Sequence, residues 1–256
     1  MTKHVFQERE SPMRPIVVST GVTHSYLLPC RGGYLQIDTG YSHHYTDYRK
    51  RLALVGIDVE QVRHVLLTHH HDDHSGFLND LVDAANPTLI VHERGPELLR
   101  GGNNDRSRGG GYVNRWVAAL ASAKMRLDPR WTLTFPPFSV RSTDVVVRGD
   151  DDRLLRELGV AGKIVYTPGH CMDHLCVVLD GGEAFCGDAA SSFLLWAGTR
   201  YCAVFMTDMD ETYRSWRRLL HAGAKRMFPA HGRPFAAAHL RRNLGRIATR
   251  DLIRFF

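Results

Sequence analysis

Short apolar runs, broken by turn residues, alternate along this chain with stretches of helical spacing. Ile16–Ser19, Ser25–Leu28 and Tyr34–Ile37 read as strands, the last two parted by Gly32-Gly33. Residues 45–55 put Tyr48, Leu52 and Val55 on one helical face. His64–Leu67 reads as a buried strand, Gly76–Ala85 as a short helix and Thr88–Val91 as a strand. The stretch GGNNDRSRGGG at 101–111 is too rich in glycine for regular structure, and it leads into a helix over Tyr112–Arg126. Val145–Val147, Lys163–Tyr166, Leu175–Leu179 and Ala184–Cys186 follow as strands, and Glu211–His221 and Phe235–Arg250 as helices. Strands mixed with helices, with no repeat and no linker, predict one α/β domain over residues 1–256.

Composition narrows this picture. Hydrophobic residues make up 43% of the 256, enough for a sizeable core, yet no apolar run approaches the ~20 residues that span a bilayer. The polar, charged start MTKHVFQERESPMRP has no apolar stretch of secretory type, and five cysteines form no CxxC pair. A reduced, cytoplasmic chain is the expectation. The net charge of +6 is local: residues 93–131 hold eight Lys/Arg against four Asp/Glu, and residues 232–256 hold six Arg against one Asp. The remainder is net acidic, which argues against a nucleic-acid partner.

The chemistry gathers in LLTHHHDDHSG, residues 66–76. Along an extended segment side chains alternate, so His69 and His71 point one way, in step with Asp73, and His70 the other. A helix starting near Asp73–Ser75 brings His74 beside them. Imidazole and carboxylate donors suit a borderline cation such as Zn²⁺, with Fe or Mn as alternatives. His70 and Asp72 are then outward or supporting members. Three further turns at strand ends carry ligand-type residues: His170 in YTPGHCMDH, Asp188 in AFCGDAAS and His231 in MFPAHGRPF.

This ordered set, His-x-His-x-Asp-His followed by TPGH, GD and AHG, resembles the motifs of the metallo-β-lactamase superfamily, and Asp38 in LQIDTG matches its acidic supporting residue. The resemblance implies a four-layer αβ/βα sandwich with a two-metal site at one edge. It implies that His69, His71 and His170 hold one ion, that Asp73, His74 and His231 hold the other, and that Asp188 bridges them. Two dications ~3.5–4 Å apart generate a hydroxide at neutral pH that attacks a carbonyl or phosphoryl centre. Asp73 is the expected proton acceptor. Asp38 either orients a ligand histidine or merely caps its turn.

Substrate is read from spacing. The 25 residues after His231 leave no room for the helical glutathione-binding domain of glyoxalase II relatives, and the 43 residues from Asp188 to His231 disfavour the nuclease branch. Ser191 stands where acyl-homoserine lactonases often place a tyrosine. The 96 residues from His74 to His170 contain an excess at 93–131. With Arg106, Arg108, Tyr112 and Trp116 this insertion reads as a lid that receives a small anionic substrate, or as a homodimer contact. The expected function is hydrolysis of a small ester, thioester, lactone or amide. A mononuclear-iron persulfide dioxygenase and a nucleic-acid phosphodiesterase are the alternatives, separable by metal content and by salt-dependent nucleic-acid binding.

Overall fold

A computed structural model describes residues 15–105 and 109–254. The first half contains β1 (Ile16–Thr20), β2 (Thr23–Cys30), β3 (Gly33–Ile37), α1 (Tyr45–Leu54), β4 (Val62–Leu66), α2 (Asp72–Ser75), α3 (Leu78–Ala85) and β5 (Thr88–His92). Then come α4 (Gly95–Gly101), β6 (Gly111–Tyr112), α5 (Arg115–Leu127), β7 (Val145–Val147) and α6 (Leu154–Glu157). The second half contains β8 (Gly162–Tyr166), β9 (Leu175–Leu179), β10 (Glu183–Gly187), β11 (Phe205–Met206), α7 (Met209–His221), β12 (Arg226–Pro229), β13 (Phe235–Ala236) and α8 (Ala238–Asn243).

Two sheets result. One runs β1-β2-β3-β4-β5-β7, antiparallel through β3 and parallel from β3 onward; the other runs β13-β12-β10-β9-β8. Strand alternation explains why they stack with helices outside. In β4 and β5, Leu66 and Ile90 point between the sheets, while Val65, Leu89 and Val91, with Leu67 just past the end of β4, pack outward with Tyr48 and Leu52 of α1 and Leu78 and Leu81 of α3. In β9 and β10, Val177 and Phe185 point inward, while Val178 and Cys186 pack outward with Trp216 of α7 and Val117 of α5. The order of layers is therefore helix, sheet, sheet, helix, as the αβ/βα expectation requires.

Three expectations change. The C-terminal helix over Phe235–Arg250 is instead β13, which pairs with β12, the short α8 and a single helical turn near Thr249–Asp251; α8 stops where Leu244 turns extended (ψ 131°) and Gly245 follows at φ +71°. Leu240 and Ile247 are nevertheless buried against the second sheet's helices. The helix expected from Tyr112 begins at Arg115, since the Asn114 side chain accepts from the Trp116 and Val117 amides. Tyr112 belongs instead to β6, which pairs with β11. The glycine-rich stretch is also not wholly irregular: its first residue ends α4 and its last begins β6. Among the described residues no helix is long and apolar enough to cross a membrane.

Candidate metal centre

The cluster forms where strand ends of both sheets meet. β4 leads into His69 and His71, α2 carries Asp73 and His74, and the turns after β8, β10 and β12 carry His170, Asp188 and His231. Ligand-type atoms of His69, His71, His170 and Cys171 lie within 4.8 Å of one another, as do those of His69, His74 and Asp188, and those of Asp73, His74 and His231. His170 Nε2 is 3.0 Å from His71 Nδ1. His231 Nε2 is 3.0 Å from Asp73 and 3.4 Å from Asp188 Oδ1, and His74 Nε2 is 3.9 Å from Asp188 Oδ1. The other Asp188 oxygen, Oδ2, is 3.7 Å from His170 Nε2. One carboxylate thus faces both groups.

Supporting bonds aim the rings. His170 Nδ1 donates to the Phe205 carbonyl (2.8 Å), His231 Nδ1 to the Val22 carbonyl (3.0 Å) and His74 Nδ1 to Asp38 (2.9 Å), which leaves each Nε2 facing the cluster. Asp38 sits at φ +58° and also accepts from the Thr68 amide (2.7 Å), so it orients a ring as well as closing a turn. His69 Nε2, His74 Nε2 and Asp188 Oδ1 are buried without a hydrogen-bond partner. Buried polar atoms of this kind call for a partner, and an imidazole–carboxylate donor set suits a divalent cation, so the residues fit a metal.

Electrostatics agree. Burial and the neighbouring His74 and His71 rings hold His69 well below the usual imidazole range, and burial does the same for His71. Both lone pairs are thereby available at neutral pH. Burial pushes His74 and His231 down, but Asp38, Asp73 and Asp188 reverse it for His74, lifting it to about 10, and Asp188 and Asp73 lift His231 to about 9. Burial would raise Asp73, yet His74 and His231 hold it below the usual carboxylate range. The carboxylates make this a place that favours positive charge.

The structure shows what the neighbouring residues do. His174 Nε2 accepts from the Asp188 amide (3.2 Å), which leaves its Nδ1 to donate to Thr167 (2.9 Å) and fixes the turn bearing Asp188. Gly187 has φ +46°, and a Cβ there would meet Thr68 Oγ1 at 2.5 Å, so a side chain at this position would collide with the hydroxyl that bonds Asp38. His70 and Asp72 are not outward: both are buried. His70 Nδ1 donates to Asp173 (3.0 Å), and its Nε2 accepts from the Asp105 amide (3.1 Å). Asp72 bonds Asn104, and burial with the charge of Asp73 raises its carboxyl to about 7. Cys171 is buried, and burial and Asp173 push its thiol pKa well above the usual range.

A cavity of about 320 Å³ opens over the cluster, lined by His71, Asp73, His170, Asp188 and His231 on its floor and by Tyr41, Tyr112, Leu120, Trp131, Leu194 and Trp196 above. Of the expected substrate residues, Tyr112 lines it. Trp116 does not: it is 64% exposed, because the phase of α5 turns Val117, Leu120, Ala121 and Lys124 toward the cavity instead. Arg106 and Arg108 fall outside the described residues.

A four-layer sandwich with a histidine–aspartate cluster at its strand ends defines a metallo-hydrolase type of fold and site. The chain matches the metallo-β-lactamase superfamily model over residues 19–231 and belongs to that superfamily. It is 25% identical to a Drosophila melanogaster β-lactamase-like protein 2 homolog, across 85% of this chain and 61% of that one. It is 27% identical to an Aspergillus fumigatus atrochrysone carboxyl ACP thioesterase, across 82% of this chain and 50% of that one. The chain therefore spans about half to three-fifths of these relatives' lengths. A metallo-β-lactamase family protein from Thermus thermophilus superposes with a TM-score of 0.58 at 24% identity, covering 91% of this chain and 76% of that one.

Asp38→Asn keeps a residue that tolerates the left-handed backbone but exchanges one carboxylate oxygen for an amide nitrogen. Metal affinity is expected to fall by about 10–100-fold, the range for loss of a supporting partner. Competition with a chelator measures it, and wild-type affinity would reduce Asp38 to a turn cap.

Proposed function

We propose that this chain is a di-metal hydrolase of a small carbonyl substrate: an ester, thioester, lactone or amide. The observation that carries the reading is Asp188, whose two oxygens face separate donor groups. His69, His71 and His170 are assigned to one ion and Asp73, His74 and His231 to the other, with zinc as the metal their nitrogen and oxygen donors suit. When bound, such a pair polarises a carbonyl and makes water nucleophilic at neutral pH. Asp73, on the cavity floor and held ionised by its histidine neighbours, accepts the proton released as water attacks. Asp38, Thr68 and His174 hold the donors in place. The expected anion-binding role of Arg106 and Arg108 stays a proposal for residues outside those the structure describes, and Lys124 is the basic side chain that lines the cavity.

Elemental analysis of purified protein, paired with a panel of esters, thioesters, lactones and phosphodiesters, tests this reading. Two zinc ions per chain and carbonyl hydrolysis abolished by chelation are expected. One iron per chain with sulfur-oxidising activity would favour a dioxygenase. Phosphodiester cleavage alone would refute the carbonyl assignment.

A further inference from the structure

We propose that the cavity over the cluster is an acyl pocket, so that the scissile carbonyl carries an apolar group of medium length. The proposal rests on the hydrolase reading above and specifies its substrate. One wall is a stripe of α5, where Val117, Leu120 and Ala121 stand at i, i+3 and i+4. The facing wall comes from the loop after Asp188, with Phe193, Leu194 and Trp196. The side-chain donors on these two walls are few: Lys124, whose ammonium is paired with Asp128, the Ser191 hydroxyl, which donates to the His231 carbonyl, and the exposed indole of Trp196. A strongly hydrated group between these walls would lose water without replacement, whereas each methylene taken from water adds about fourfold in affinity.

Two further observations point the same way. Trp196 is 79% exposed and Leu120 is 40% exposed, although both line the cavity, which gives its mouth an apolar rim. Leu194 and Leu133 both adopt left-handed backbone, at φ +53° and +60°, and both line the cavity. Leucine rarely takes this conformation, and strained residues of this kind cluster at ligand-binding sites. The size sets the chain length: about 320 Å³ lies at the lower end of ligand pockets, which run ~300–1,000 Å³. That accommodates a medium acyl chain and leaves an acetyl group largely uncontacted. In the reaction, water's oxygen bonds to the acyl carbon and the carbon–sulfur bond of a thioester breaks. The sulfur leaves as a thiol once it takes up a proton, and the products are a carboxylic acid and that thiol, with no redox change.

The experiment compares acetyl and octanoyl thioesters of N-acetylcysteamine with the zinc-loaded full chain. The wild-type kcat/KM ratio, octanoyl over acetyl, is expected to reach at least about tenfold. Leu120→Trp, which fills the cavity from a partly exposed position, should bring that ratio close to one. Trp196→Ala, at an exposed position that does not endanger folding, should lower it too. A wild-type ratio within about threefold, or a ratio that neither variant changes, overturns the acyl pocket and leaves the hydrolase reading standing. If neither thioester is cleaved, the thioesterase form of the hydrolase reading fails, and calorimetric titration with octanoate and acetate decides the pocket. Octanoate binding that Leu120→Trp weakens supports it, and equal or absent binding of the two acids overturns it.

Discussion

His71→Ala should strip metal from the protein and lower kcat/KM by at least about 10³-fold, well beyond the ~10–100-fold seen when only a supporting partner is lost. The ring sits where its Nδ1 meets His170 Nε2 at 3.0 Å, inside the donor group it shares with His69. His70→Ala, one residue away, should behave differently. His70 bonds Asp173 and the Asp105 amide, away from the cluster's centre. Its loss leaves a buried carboxylate, held at about 2 against burial largely by the His70 ring, without its main partner. The expected cost is therefore in stability, about 1–3 kcal/mol, the penalty for leaving a buried polar group without its hydrogen-bond partner. Metal stoichiometry at saturating zinc should persist. Urea unfolding and metal analysis on both variants separate the two effects, and equal metal loss from both would remove the distinction between His70 and His71.

Asp188→Asn should lower the bound metal from two ions toward one and reduce turnover by about 10²–10³-fold or more, the scale on which single electrostatic contacts at reacting centres act. The substitution keeps volume and the amide bond to His174, but it removes the charge and turns one oxygen into a donor that repels a cation. A variant that binds two ions with unchanged affinity would show that Asp188 does not join the two donor groups.

Much of the site could be read from the chain because its residue types are unusual in turns at strand ends. His69, His71, Asp73, His74, His170, Asp188 and His231 converge in the structure, and Asp38 bonds a histidine. Strand alternation parts His69 and His71 from His70, and in the structure His70 turns to Asp173. It could not show that His70 faces another buried surface, because its partner Asp173 is 103 residues away. Likewise, His174 supports Asp188 through a backbone amide, a contact invisible to spacing. Trp116 failed as a cavity residue because aromatic content says nothing about helical phase. The strands β6 and β11 are two residues each, too short for any period to register, and they owe their existence to pairing across the fold. The long C-terminal helix failed at both ends: Phe235–Ala236 pairs as a strand with β12, and the chain leaves helical backbone at Leu244-Gly245 despite the favourable arginine and leucine spacing.

The candidate ligand residues divide between the two sheets: four follow β4, and three follow β8, β10 and β12. Neither sheet can assemble the donor set alone, so any cation that binds there is thermodynamically linked to the docking of one half of the chain on the other. Bound metal would stabilise the docked state by RT ln(1 + [M]/Kd), about 4 kcal/mol at a thousandfold excess over Kd. Substitutions deep between the sheets, at Leu66 or Phe185 for example, would weaken apparent metal affinity without touching a donor once they leave an appreciable fraction of the chain undocked. The affinity for any such cation would in effect gauge how well the chain's two halves are joined.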